Sequence, residues 1–441
     1  VLLAHWKYPV SLLRHALRGT LIDFVADPSA HARALRHVED GLLVIEDGRV
    51  LACGEYNVLA GQWLDAATSL DDHRGALITP GFIDTHIHLP QIDVIASPAR
   101  GLLDWLERHA FPAEAGYADP ARCAESAAHF LDELARHGTT SACVYGTVHA
   151  QSVDALFEAA LHGGWRMAAG KCLMDVNCPE ALRDTAEGGV AESAALADRW
   201  HGRGRLAYAI TPRFAGTSSR AQLQAAGALA RARPELLVQS HVAENLTECR
   251  WIAGLFPEAR SYLDVYERFG LLTPRSVYAH CIHLDAADRA RMAAQGAVAA
   301  VCPTSNLFLG SGLFDFDAAL AAGMGLSLAT DVGGGQSFSM FSAMRSAHEI
   351  ARLNGHGLSA LQLWYWATRG AALALGWTQV GTLEPGAEAD VIVLDPKATP
   401  LLARRTARAA SIEELLFALL VLGDDRVVTQ TYIAGVPAKL H

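Results

Sequence analysis

The chain has few of the features that mark several large protein classes. It has no uninterrupted apolar run of eighteen residues, and the apolar stretch Leu415–Leu422 is far too short to span a bilayer, so no membrane helix is expected. It has no basic excess. The formal net charge is −11, which argues against a nucleic-acid polymer as partner, because phosphate binding needs a basic surface. The eight cysteines, Cys53, Cys123, Cys143, Cys172, Cys178, Cys249, Cys281 and Cys302, contain no Cys-x-x-Cys pair. They are scattered as single apolar residues would be, which suits a reduced, cytoplasmic protein. His37-Val38-Glu39 opens one known zinc signature, but the Pro-Cys-x-x-Cys that completes it is missing. No Gly-x-Gly-x-x-Gly follows a strand, which leaves an open doubly wound sheet without support. There is no internal repeat and no low-complexity linker, and Gly333-Gly334-Gly335 reads as a loop. The sequence starts at Val1 without an initiator Met, so its numbering is expected to begin inside the gene product; no signal peptide is visible.

What is present is a large apolar chain. Its 441 residues are 51% hydrophobic and 19% charged, enough for one large barrel and an accessory domain. Both ends read as strands. Gly41–Glu46 and Arg49–Ala52 flank Asp47-Gly48, the sequence of a tight hairpin. Ala389–Leu394 and Val427–Ala434 read as strands in the tail. The middle alternates strand and helix, with eight strand-like runs ending near His88, Thr147, Met174, Phe214, Ala243, Leu284, Asn306 and Asp331. Helical patterns lie between them, among them Ala121–His137, Ser219–Ala232 and Ala286–Ala294. Eight alternations in roughly 250 residues predict an α/β fold of the (β/α)8 TIM-barrel type, with its active site at the C-terminal strand ends. The expected domains are residues 77–375 for the barrel, with 1–76 and 376–441 joining as a small β-sandwich domain.

The strand ends carry the polar residues. Pro80-Gly81-Phe82-Ile83-Asp84-Thr85-His86-Ile87-His88 is an apolar run ending in two histidines one residue apart, which a strand points to the same face. Two imidazoles there are either a start on a zinc site, which takes about three protein ligands and an open position, or a pair of ordinary buried histidines. Strand five ends at Ser240-His241 and is followed by Val242-Ala243-Glu244; strand six ends at Ala279-His280, and strand eight at Thr330-Asp331. Singly, a strand-end His is a hydrogen-bonded core residue and an Asp a helix cap or turn former. Together, on strands one, five, six and eight, they point to a metal-dependent hydrolase.

The segments PGFIDTHIH, SHVAE, YAHC and ATDVGGG resemble those of the amidohydrolase superfamily, and Gly381–Asp390 is similar to that family's return to its β domain. Binuclear members bridge two metals with a carboxylated lysine on strand four. Leu206–Phe214 contains no lysine, and Lys171 on strand three reads as an ordinary strand residue. The resemblance is therefore to the mononuclear deaminase branch. It implies one zinc per subunit, with Fe2+ as the alternative, held by His86, His88, His241 and Asp331. Zinc lowers the pKa of bound water to about 7. Asp331 would take the proton of that water and pass it to the leaving amine. Glu244 would protonate a ring nitrogen, and His280 would stabilise charge on the attacking oxygen. Otherwise Glu244 is a solvated residue opening the next helix.

Three local features resemble those of the guanine deaminases in that branch. Gln91 stands where a base-recognising glutamine is expected. Leu102–Leu106, which includes Trp105, and Phe111-Pro112-Ala113-Glu114 resemble a lid. Thr211-Pro212-Arg213-Phe214 is similar to a purine-reading pair, Arg213 offering a fork of donors and Phe214 a flat face. Taken separately, Arg213 would be a surface salt bridge and Phe214 core. The resemblance implies guanine as substrate, with Gln91, Trp105, Arg213, Phe214 and His280 against it, and a homodimer. Rival readings are a related deaminase or dechlorinase acting on a triazine, pterin, cytosine or adenosine-like ring, and a catalytically inactive scaffold.

Overall fold

The computed structural model describes residues 14–66 and 68–438; the first thirteen positions of the expected N-terminal β region, Val1 included, lie outside the described residues. In chain order the strands are β1 (His15–Phe24), β2 (Leu35–Glu46), β3 (Arg49–Glu55) and β4 (Ser69–Pro80). Next come β5 (Phe82–His88), β6 (Thr139–Tyr145), β7 (Arg166–Gly170), β8 (Cys172–Leu173) and β9 (Leu206–Pro212). They are followed by β10 (Leu237–Val242), β11 (Ser276–His280), β12 (Val298–Val301) and β13 (Gly325–Leu328), and the tail adds β14 (Val391–Leu394), β15 (Val428–Ile433) and β16 (Val436–Pro437).

Both chain ends build one sheet, in the order β16-β15-β14-β4-β1-β2-β3. The Asp-Gly hairpin forms as read, with φ of 52° at Asp47 and 75° at Gly48. Two successive left-handed residues twist the turn to match the right-handed twist of its strands, which Asp-Gly tolerates. β14 lies antiparallel on β4, Val391 opposite Pro80 and Leu394 opposite Leu77. Leu17, Leu43, Ile78, Val391, Val393 and Tyr432 pack on one face. On the other, Ala16, Leu42, Val44 and Ala52 pack with the helix Tyr56–Trp63. The apolar stretch Leu415–Leu422 falls in a helix, Ile412–Leu422, whose Leu416, Leu419 and Leu420 join the main barrel core. Among the described residues no helix is long and apolar enough to cross a membrane.

The middle strands run parallel in the order β13-β12-β11-β10-β9-β7-β6-β5, with β8 extending the β7 position beside β9. This is the (β/α)8 barrel. The seventh strand stops at Val301 rather than near Asn306, because Pro303 opens a helix, Pro303–Phe308; proline is preorganised for a first helical turn and cannot donate to a ladder. Lys171, read as an ordinary strand residue, is fully buried between β7 and β8 and paired with Asp184 and Glu192, each at 3.0 Å.

The seam between β5 and β13 is closed largely by side chains. Thr85 Oγ1 lies 2.8 Å from Ser327 Oγ and donates to the Leu328 carbonyl at 3.1 Å. The buried Asp84 carboxylate accepts from the Thr330 backbone N–H at 3.1 Å, from the Thr330 hydroxyl, and from the His86 N–H at 3.2 Å. Asp331 N–H then donates to the His86 carbonyl at 3.0 Å. Replacing Asp84 by Ala strands two buried N–H groups, at about 1–3 kcal/mol each. Asp84→Ala should lower the thermal unfolding midpoint and, because Asp331 hangs from the same seam, lower metal retention; calorimetry and elemental analysis of one preparation check both.

Candidate active site

The site lies over the C-terminal strand ends. His86 and His88 leave the end of β5 on the same side, as period-two alternation requires, and both are buried. His241 comes from β10, His280 ends β11, and Asp331 follows β13. One ligand atom each of His86, His241, His280 and Asp331 falls within 4.8 Å of all the others. His88 Nε2 stands 3.2 Å from His86 Nε2 and 3.2 Å from His241 Nε2. Asp331 Oδ1 is 3.2 Å from His86 Nε2 and 3.3 Å from His88 Nε2.

His241 Nδ1–H donates to the Arg213 carbonyl at 2.6 Å, and a carbonyl only accepts, so the proton sits on Nδ1 and Nε2 turns a bare lone pair into the cluster. Burial pushes His86 down to about 4 and His241 well below its usual range, so both are neutral. Imidazole nitrogens and a carboxylate that converge at these distances are arranged as a cation placed between them would require. The donor set fits a divalent metal, with nitrogen and oxygen ligands. Burial alone would raise Asp331, but the adjoining His86 and His88 outweigh it and hold the carboxyl well below its usual range.

His280 faces two carboxylates. Its Nε2 is 3.3 Å from Glu244 Oε2 and 3.8 Å from Asp331 Oδ2, while its Nδ1–H donates to Asn306 Oδ1 at 2.9 Å. Burial lowers its pKa, but the charges of Glu244 and Asp331 more than compensate, so the net shift is upward. Glu244 accepts from Ser311 Oγ at 2.9 Å and is pushed up to about 7 by burial. It is buried, not the solvated start of a helix. The helix Leu246–Leu255 is opened by Asn245, in a capping box with Glu248. Glu248 Oε2 accepts from the backbone N–H of Glu244 at 3.1 Å and of Asn245 at 3.2 Å, so the cap also holds the Glu244 loop.

Ala243, His280, Cys281 and Asp331 have φ of 51°, 69°, 55° and 52°. Left-handed backbone costs a non-glycine residue about 1–3 kcal/mol, and here it recurs at three of the strand ends that bear the polar cluster.

A small cavity opens beside the cluster, lined by Gln91, Trp105, Arg213, Phe214, Leu309 and Gly334 together with Glu244 and Asp331. All the sequence-derived candidates except His86 line this one chamber, and His86 adjoins it as a member of the His/Asp cluster. Trp105 is buried, and its indole N–H has no partner among the described residues. Phe214 stands beside Trp251 at 5.8 Å between ring centroids. Arg213 is not a surface salt bridge: it is buried and grips the equally buried Glu114, Nη2 to Oε1 at 2.6 Å and Nε to Oε2 at 3.2 Å. Gln91 Nε2 also donates to Glu114 Oε1, at 2.9 Å.

Sequence reading gave no role to Glu114 beyond the lid, and none to Glu248, Ser311, Asn306 or Tyr145. Only the Asn-Leu-Thr-Glu capping box of Asn245–Glu248 left a local signal. Tyr145 packs its ring 4.7, 4.6 and 4.9 Å from those of His86, His88 and His241, a role with no sequence signature.

The chain belongs to the amidohydrolase family, whose description, "Amidohydrolase family", its residues 77–437 match. Guanine deaminase of Escherichia coli (strain K12) is 44% identical to it over 424 residues, covering 95% of this chain and 96% of that protein. The solved E. coli guanine deaminase superposes with a TM-score of 0.94, covering 96% of this chain and 99% of that one. A guanine deaminase from C. acetobutylicum, solved with guanine bound in its active site, gives a TM-score of 0.86 at 25% identity, over 97% of this chain and 100% of that one. Within the family, the chain groups with the guanine deaminases.

Replacing His241 by Ala removes one of the converging nitrogens and frees the Arg213 carbonyl. His241→Ala should lose metal and activity together; full occupancy by elemental analysis would take His241 out of the ligand set.

Proposed function

We propose that this chain hydrolyses guanine to xanthine and ammonia, using one zinc ion, with Fe2+ as the alternative, held by His86, His88, His241 and Asp331. The observation that carries the reading is that Gln91 and Arg213, both held by Glu114, line the same chamber as the His/Asp cluster. A divalent cation in that cluster supplies Lewis acidity that lowers the pKa of water to about 7. Every other part of the chemistry falls to side chains.

Asp331 turns Oδ1 to His86 and His88 and leaves Oδ2 toward His280. That second oxygen takes a proton from the attacking water and returns it to the departing amine. Glu244, pushed up to about 7 by burial, exchanges a proton readily near neutral pH and delivers it to the ring nitrogen beside the amine-bearing carbon, which makes that carbon electrophilic. His280 lies between the two carboxylates and donates to the oxygen as charge develops on it. Arg213 has only donors and reads the keto oxygen on the far side of the base, while Phe214 packs on its face. A homodimer in the cytoplasm completes the reading. All eight cysteines are free thiols, as a reducing compartment keeps them, and the resemblance implies a dimer.

Glu244→Gln should keep its metal and lose about 10²- to 10⁴-fold in turnover, the usual contribution of a positioned acid. Near-normal ammonia release by that variant would remove Glu244 from proton transfer. Adenine places an amine where guanine has its oxygen, so a donor would face Arg213. Steady-state kinetics should show guanine preferred over adenine by about 10³-fold or more, since buried groups left unpaired penalise the wrong base. Arg213→Met should lose most guanine activity and keep its metal. Processing of guanine at the parental rate would make Arg213 a structural residue.

A further inference from the structure

Glu114 is almost wholly buried, as are its two partners, Gln91 and Arg213. Its Oε1 receives both the Gln91 amide at 2.9 Å and Arg213 Nη2 at 2.6 Å, and its Oε2 receives Arg213 Nε at 3.2 Å. It belongs neither to the metal cluster nor to the residues that face the chamber. Yet it fixes the polarity of two residues that do face it.

A carboxylate gripping a guanidinium has only acceptors to offer. The Gln91 group that meets Glu114 must therefore be its NH2. A free glutamine amide reads either a donor or an acceptor by flipping. With Nε2 committed, the flip is blocked, and Oε1 is the amide atom left for a ligand. Gly333 leaves the space this oxygen occupies: a Cβ added there would fall 2.1 Å from Gln91 Oε1. Arg213, with Nε and Nη2 held, has Nη1 left to donate.

We propose that Glu114 is a positioning residue that sets the chamber to read a lactam edge, an N–H beside a C=O, and to reject the inverted edge. Gln91 supplies an acceptor for the ring N–H, and Arg213 a donor for the carbonyl oxygen. This rests on the reading of the site as a guanine aminohydrolase and adds the element that enforces its selectivity. Guanine carries a lactam at N1 and C6. 2,6-Diaminopurine keeps the same 2-amino leaving group but presents an acceptor at N1 and a donor at C6, the reverse pattern.

The test compares kcat/KM for guanine and 2,6-diaminopurine, by ammonia release, in the metal-loaded parent and in Glu114→Gln, with metal content measured in both. The amide introduced by Glu114→Gln could accept from Gln91 or donate to it, which frees the Gln91 amide to flip, and it no longer carries the charge that aligns Arg213. The parent should favour guanine by about 10³-fold or more, and Glu114→Gln should narrow that ratio at least about 10-fold with its metal intact. If Glu114→Gln fails to fold, Glu114→Asp carries the same test, because it keeps the charge but draws the carboxylate back from Gln91 and Arg213, and it should also narrow the ratio. A parallel fall for both bases, with the ratio unchanged, would reduce Glu114 to a structural residue and overturn the proposal. A parent that processes both bases equally would overturn it as well. A parent that releases ammonia from 2,6-diaminopurine but not from guanine, or from neither, overturns the underlying function, and this inference with it.

Discussion

Everything at the mouth of the barrel depends on how the first and last barrel strands are joined. Their seam is closed largely by a buried carboxylate and a few hydroxyls. Asp84 takes the N–H and hydroxyl of Thr330, Thr85 takes Ser327 and Leu328, and the backbone of Asp331 meets that of His86. The residue after Thr330 is Asp331, whose carboxylate joins the histidine cluster, so the bond that closes the cylinder also sets the distance between Asp331 and the two histidines of β5. Closure and ligand geometry are one constraint.

Several polar groups around the cavity obey a second rule: each is held in place by a neighbouring residue. The Arg213 carbonyl fixes the tautomer of His241, Asn306 holds His280, the capping residue Glu248 holds the Glu244 loop, and Glu114 holds Gln91 and Arg213. Supporting bonds of this kind turn flexible side chains into fixed dipoles, so that little reorganisation is left for the moment of reaction. Arg213 acts at two levels, its main chain on a histidine and its side chain toward the base, so a substitution there that shifts the backbone would be felt at the metal as well.

Which parts were legible in the sequence follows from the range of the interaction that defines them. His86 and His88 declare themselves through a two-residue period, and His241, His280 and Asp331 through their places at the ends of apolar runs. The barrel follows from the alternation of those runs. Lys171 and Arg213 were harder, because a charged residue inside a strand looks the same on paper whether its partner is water or a buried carboxylate. Glu114 could not be read as a clamp at all. Its partners lie 23 and 99 residues away, in segments with no shared periodicity, and it sits in a stretch that otherwise reads as an apolar lid. Asp84 was visible inside a recognisable motif, but its partner at Thr330 is 246 residues downstream.

The shared sheet has a consequence for how the chain is born. β4 emerges from the ribosome with its inner edge, Leu77–Pro80, facing a neighbour not yet made. That neighbour, β14, lies roughly 300 residues downstream, so at about 5–20 residues per second the edge waits on the order of 15–60 s, longer than a barrel strand needs to find its partner. An apolar strand edge left open for that time is a template for pairing with another nascent chain. The cell meets this protein first as an incomplete sheet, and yield should depend more on translation speed and chaperone supply than on the stability of the finished enzyme.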